Sequence, residues 1–233
     1  MKVAVLSALN SPFLGPIIAS IRDKGICPEF VVSDSNSLSE GALERIQSRV
    51  GSDYQSVDFY CLRPPIPVFL SKKIDSKEVL EFIRSMRIDY LVNAGVNCIL
   101  KGGILNATQG VISCHPGLIP EYRGCCNVEW AILNDDPVGN TVFLMTEEID
   151  RGPILSQQAM EFTPEDDYRS VRSKVYDAGF ELLASAVFDL SDGGLDPNSL
   201  QRPDEGRYYG VIPDEKLILV QKKLRAGAYK FQV

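Results

Sequence analysis

The chain has 233 residues, 45% of them apolar, with a net charge of −7 and a single histidine. Such a length and apolar share suit one substantial domain with a full core, and the acidic balance argues against a nucleic-acid binder that works by neutralising phosphates. No stretch approaches the roughly 20 apolar residues of a membrane span, and the short run Val3 to Leu6 lacks the length of a secretory leader, so a cytoplasmic protein without membrane contact is expected.

Lys2 to Leu6 is a β-branched run that predicts a buried strand, and Gly15 to Lys24, stopped by Gly25, predicts a helix with Ile17, Ile18 and Ile21 inward. Phe30 to Val32 predicts a second strand and Leu38 to Val50 a second helix. Pro64, Pro65 and Pro67 make part of Tyr54 to Phe69 an extended connector. Ser76 is a good N-cap for a helix with Val79, Leu80, Ile83 and Met86 on its apolar face. Tyr90 to Val92 and Val111-Ile112 read as strands, as do Asn140 to Met145 and Pro153 to Met160. Thr163-Pro164-Glu165-Asp166 predicts the start of a long helix running to Gly193-Gly194. Beyond it, Tyr208-Tyr209 and Leu217 to Val220 suggest a β-hairpin around Pro213-Asp214. Strand and helix in alternation imply an α/β fold, a mostly parallel sheet with helices on both faces. The expected division is a catalytic domain over 1–195 and a short C-terminal β-hairpin extension over 196–233.

Six cysteines (27, 61, 98, 114, 125 and 126) show no CxxC or zinc-ligand spacing, so reduced thiols and no metal are expected. The one histidine lies in Ile112-Ser113-Cys114-His115-Pro116-Gly117-Leu118-Ile119-Pro120-Glu121-Tyr122-Arg123-Gly124. Ser113 and His115 are two apart at a strand's end, so their side chains share a face while Cys114 points away. Carboxyl ends of strands in an open α/β sheet are where ligands bind. From residue types alone, His115 is either a proton carrier or a buried histidine satisfied by main chain. An acidic segment, Thr146-Glu147-Glu148-Ile149-Asp150-Arg151-Gly152-Pro153-Ile154, follows, and Asp150 could orient the imidazole.

The stretch His115 to Gly124 resembles the His-Pro-Ser-Leu-Leu-Pro-x-Tyr-x-Gly signature of the folate-dependent formyltransferases, and Thr146 to Ile154 resembles their second signature at the expected distance. The resemblance covers roughly residues 1 to 190 and implies a Rossmann-like fold and catalytic roles for His115 and Asp150. The family's third catalytic residue is an asparagine two before the histidine, and this chain has Ser113 there. A serine hydroxyl reaches less far than a carboxamide, so a water, Asn97 or Asn127 would complete the contact. The implied chemistry is attack of a primary amine on the formyl carbon of N10-formyltetrahydrofolate. His115 supports the developing oxyanion, and a proton passes from the amine to folate N10. The folate would lie beside Asn93, Gly95, Val96 and Asn97 and the loop of Thr146, Glu147 and Glu148. The acceptor would meet Asn10, Tyr122, Arg123, Tyr208 and Tyr209.

Among family acceptors, Ser7 to Ser11 lacks the glycines with which glycinamide ribonucleotide enzymes close on phosphate. The methionyl-tRNA enzymes carry a C-terminal barrel for which too few residues follow the long helix, and formyltetrahydrofolate hydrolases carry a regulatory domain not found here. A nucleotide-linked amino sugar is therefore the expected acceptor, with glycinamide ribonucleotide transfer or a bare formyltetrahydrofolate hydrolase as the alternatives, a homodimer possible and no nucleic-acid partner. Of rival classes, a serine hydrolase would need a nucleophile elbow that Val111 to His115 does not form, and Cys114 and His115 project to opposite sides. A non-catalytic folate binder stays open.

Overall fold

The computed structural model describes residues 1–35, 38–50, 62, 64–196 and 205–233. Within them the chain runs β1 (Val3–Ala8), α1 (Leu14–Asp23), β2 (Val31–Asp34), α2 (Glu40–Val50), β3 (Val68–Ser71), α3 (Lys77–Ser85), β4 (Tyr90–Asn93), α4 (Gly102–Leu105) and β5 (Val111–His115). It continues through β6 (Arg123–Gly124), α5 (Asn127–Asn134), β7 (Val138–Leu144), β8 (Ile154–Met160), α6 (Tyr168–Asp192), β9 (Tyr208–Tyr209) and α7 (Asp214–Arg225). Seven strands form one sheet in the order β3-β2-β1-β4-β5-β7-β8. The first five are parallel, and β7 and β8 add antiparallel. The mostly parallel α/β sheet expected from the alternation is therefore present.

Alternation along β1 sorts the core between two faces. Val3 and Val5 pack with Ile17, Ile18 and Ile21 of α1 and Phe180, Leu183 and Val187 of α6. Ala4 and Leu6 turn to the other face and meet Val79 and Ile83 of α3 and Ile104 of α4. The long helix α6 crosses β5 and β7 closely at Gly179, where a Cβ would stand 3.0 Å from Asn140 Oδ1 and 3.2 Å from Cys114 Sγ. Ser76 caps α3 as its position predicts, its hydroxyl accepting from Val79 N at 3.4 Å.

Two expectations about the second half need correction. The long helix begins at Tyr168 rather than at Thr163, because Asp167 is its N-cap and accepts from Ser170 N at 2.9 Å. Thr163 to Asp166 form a separate turn, in which the Asp166 carboxylate accepts from Thr163 N at 2.8 Å. Among its described residues the extension contributes a strand to a small sheet and then a helix, not the expected hairpin. Tyr208-Tyr209 pairs in parallel with Arg123-Gly124, and Leu217 to Val220 belong to α7. Pro213 stands at the α7 N-cap with Asp214 and Glu215 in the first turn and Lys222, Lys223 and Arg225 in the last. This charge order matches the helix dipole. Val220 and Leu224 then seat α7 against Val128 and Ile132 of α5. Of the proline-rich connector, 54–61 and 63 lie outside the described residues, and Val68-Phe69 open β3.

Candidate active site

His115 ends β5 at the point where the sheet changes from parallel to antiparallel, opposite Thr141 of β7. Thr141 builds the loop that follows. Its hydroxyl donates to Gly117 O (2.7 Å) and accepts from Ile119 N (3.1 Å) and from Gln157 Nε2 (2.9 Å). The chain thus folds back over His115, whose imidazole is buried. Nε2 lies 2.9 Å from Tyr122 O and 2.8 Å from Asn127 Nδ2. Nδ1 lies 3.5 Å from Asp150 Oδ2. Asp150 sits in left-handed backbone at φ 52°, on the loop between β7 and β8, and its Oδ2 also accepts from Gly124 N at 2.8 Å. A non-glycine residue held there is strained, a state that persists where surrounding contacts over-determine it. The Gly124 amide and the imidazole are those contacts.

The histidine is therefore neither bare nor satisfied by main chain alone. Ser113 points to the same edge of the sheet but not to the imidazole; its hydroxyl accepts from Asn93 Nδ2 at 3.1 Å. Asn93 in turn accepts at Oδ1 from Gly95 N (3.1 Å) and Val96 N (3.2 Å), which shapes the loop after β4. Cys114 faces the other way, towards α6, and burial pushes its thiol up to about 12. A cavity of about 240 Å³ opens beside Ser113, walled by Phe13 and Ile17 of α1 and Tyr176 and Phe180 of α6. No cationic side chain is among the described residues that line it.

A match to the formyl transferase family model covers residues 1–187. The chain belongs to the formyl transferase family. Among curated relatives, the methionyl-tRNA formyltransferase of Trichlorobacter lovleyi is 32% identical over 140 residues, 59% of this chain and 44% of that protein. That of Thermotoga maritima is 29% identical over 173 residues, 69% of this chain and 54% of that protein. The formyl transferase chain thus spans about half the length of the curated relatives it matches. Similar solved structures include a sugar N-formyltransferase from Shewanella sp FDAARGOS_354, at 22% identity and TM-score 0.59 over 91% of this chain and 77% of that one. Another is glycinamide ribonucleotide transformylase 1 from Symbiobacterium toebii, at 20% identity and TM-score 0.61 over 88% of this chain and 94% of that one.

The residues singled out in this chain fall into distinct places. His115, Asp150, Asn127 at the start of α5 and the Tyr122 carbonyl converge. Asn93, Gly95 and Val96 line the turn after β4, with Asn97 exposed beyond them. Thr146 donates to Glu148 O (3.1 Å), Glu147 Oε1 accepts from Gly102 N (2.9 Å), and Glu148 pairs with Arg151 (3.2 Å). Asn10 is engaged by the Leu38 main chain, accepting from its N–H at 2.6 Å.

The Tyr122 side chain is buried. Its hydroxyl donates to Asp136 Oδ2 at 2.5 Å and its ring stacks on Tyr209 at 5.0 Å. Burial and the Asp136 carboxylate together push the phenol up. Arg123 is also buried, donating from Nη2 to Gly206 O at 2.8 Å, with Nε and Nη1 unpartnered. Tyr208 is exposed. Among the described residues no group of three or more His, Cys, Asp or Glu could hold a metal ion, and no helix is long and apolar enough to cross a membrane.

Proposed function

We propose that this chain transfers the formyl group of N10-formyltetrahydrofolate to a primary amine, and that the amine belongs to a nucleotide-linked amino sugar. The observation that carries the transfer is the His115–Asp150 pair at the carboxyl end of β5, 3.5 Å apart and held by the Gly124 amide, inside a match to the formyl transferase family. In this proposal the amine attacks the formyl carbon, His115 takes up the proton the amine loses, and Asp150 keeps the imidazole oriented. The C–N10 bond then breaks as the proton lost by the amine reaches N10.

The chain's own residues fit the donor. The loop before β8 is tied to the start of α4 by the Gly102–Glu147 hydrogen bond, and Val96 after β4 and Met145 after β7 pack, partly buried, against the same core cluster. An apolar wall beside main-chain groups suits a flat heteroaromatic ring. On the other side of Ser113, the cavity against α1 and α6 presents aromatic walls and no cation among its described lining. A sugar ring suits such walls better than a phosphate would, which favours an amino sugar over glycinamide ribonucleotide. A second acceptor, aminoacyl-tRNA, is favoured by the curated relatives, which are named for it.

The test is release of tetrahydrofolate from N10-formyltetrahydrofolate, run without acceptor, with pooled amino-sugar nucleotides and with methionyl-tRNA, alongside His115→Ala. Release that needs the amino sugars and drops by about 10²–10⁴ in the variant supports the proposal. Release only with methionyl-tRNA overturns the acceptor, release without any acceptor makes the chain a hydrolase, and no release in any arm overturns the transfer itself.

A further inference from the structure

Asn127 is the first residue of α5, and its side chain is buried. Its Nδ2 donates to Gly124 O at 3.0 Å and stands 2.8 Å from His115 Nε2, while its Oδ1 is buried and meets no donor. A buried amide with an orphaned oxygen is costly, and its orientation needs a reason. The reason is on the nitrogen side: turned over, the amide would set Oδ1 against the Gly124 carbonyl. Nδ2 therefore faces the imidazole as a donor, and a nitrogen that accepts from it carries no proton. The proton of the neutral ring is then on Nδ1, towards Asp150. The same Nε2 lies 2.9 Å from the Tyr122 carbonyl, which can only accept. Nε2 thus has one donor and one acceptor beside it, and each is satisfied in a different protonation state.

We propose that Asn127 is a positioning residue that selects the tautomer of His115 with Nε2 bare, ready to take a proton, and that the Tyr122 carbonyl then receives the new N–H. Gly117 makes the arrangement possible. A Cβ there would stand 2.8 Å from His115 Nε2 and 2.9 Å from Asn127 Cβ, and Gly117 occupies the position where the family signature has serine. Around the ring, α5 contributes Asn127 and β7 contributes Thr141. Tyr122 contributes main chain alone, and the loop before β8 contributes Asp150, the titratable group among them.

The proposal rests on the formyl-transfer reading only for the use made of the proton. Because His115 is the only histidine, 15N NMR of its imidazole needs no assignment. At a pH where the ring is neutral, the unmutated protein is expected to show the Nδ1–H tautomer with Nε2 unprotonated. Asn127→Ala and Asn127→Leu, the second close to asparagine in volume, remove the donor that favours this tautomer, so the share of Nε2–H relative to Nδ1–H is expected to rise roughly fivefold. A neutral ring protonated at Nε2 in the unmutated protein overturns the proposal, as does a tautomer ratio that stays the same in both variants. Should neither variant fold, the tautomer in the unmutated protein decides. No substrate enters the measurement, so its failure leaves formyl transfer standing, and failure of transfer leaves the tautomer standing.

Discussion

Asp150 does two jobs with one oxygen, orienting His115 and holding the Gly124 amide. Asp150→Asn can present a donor where both partners need an acceptor, so turnover is expected to fall by about 10²–10⁴ with folding retained, checked by steady-state rates beside a melting curve. Cys114 carries the opposite expectation. Burial pushes its thiol up to about 12, so below that pH it stays protonated, and the thiolate is the reactive form. Iodoacetamide at pH 8 should label exposed Cys27 and leave Cys114 untouched until the chain unfolds, which peptide mass mapping will show. His115 and Asp150 were legible because each sits inside a short local pattern. The Tyr122 contact was not, because it is made by a carbonyl that every residue possesses. Asn127 was legible only as one of several amides that could stand in for the missing carboxamide.

At the scale of elements, α5 and α6 are tied by a charge in the core. Glu129 is fully buried, 3.5 Å from Arg172 Nη1 and 3.7 Å from Arg49 Nε, and accepts from Tyr168 OH at 2.6 Å. Burial alone would raise its carboxyl, but Arg172 and Arg49 bring it below the usual carboxylate range. A carboxyl that titrates lower when folded contributes stability above its unfolded value of about 4.3, and that contribution is lost as pH falls through the folded value. Glu129→Gln leaves Arg172 buried without its counter-charge, and is expected to cost about 3–5 kcal/mol at pH 7 and less as pH falls below about 4.3, read from urea denaturation at pH 7 and at acid pH. The network was invisible in the sequence, since its members lie on three helices. The misplaced start of α6 has a different cause. Thr163-Pro164-Glu165-Asp166 carries every local sign of a helix start, yet the Asp166 carboxylate closes a turn there and passes the cap to Asp167.

Across the whole molecule, the C-terminal residues complete the core and do not hang from it. Tyr229 is buried, donating to Asp136 O at 2.8 Å and accepting from Val138 N at 3.2 Å. The main chain of Phe231 and Val233 pairs with Phe162, at 2.8 Å in each direction. Tyr229→Ala is expected to destabilise by about 3–5 kcal/mol, seen as a lower melting temperature. The sheet was legible because a parallel α/β core repeats a simple alternation. The end of the chain was not, because a four-residue apolar run such as Leu217 to Val220 suits a strand or a helix equally, and packing against α5 decides between them.

The pairing of β6 with β9 also sets a clock. Arg123 N donates to Arg207 O (3.0 Å) and Cys125 N to Tyr209 O (2.8 Å), which fixes the backbone on either side of the Gly124 amide that holds Asp150. During synthesis, every residue that touches His115 emerges long before its brace does. The backbone that carries the Gly124 amide is therefore expected to be fixed only after residues 207–209 have cleared the ribosome. Stalled complexes that expose the chain only to residue 205 should be inert towards N10-formyltetrahydrofolate, and those that expose all of it should be competent. Equal turnover by both would show that β9 sets no such delay.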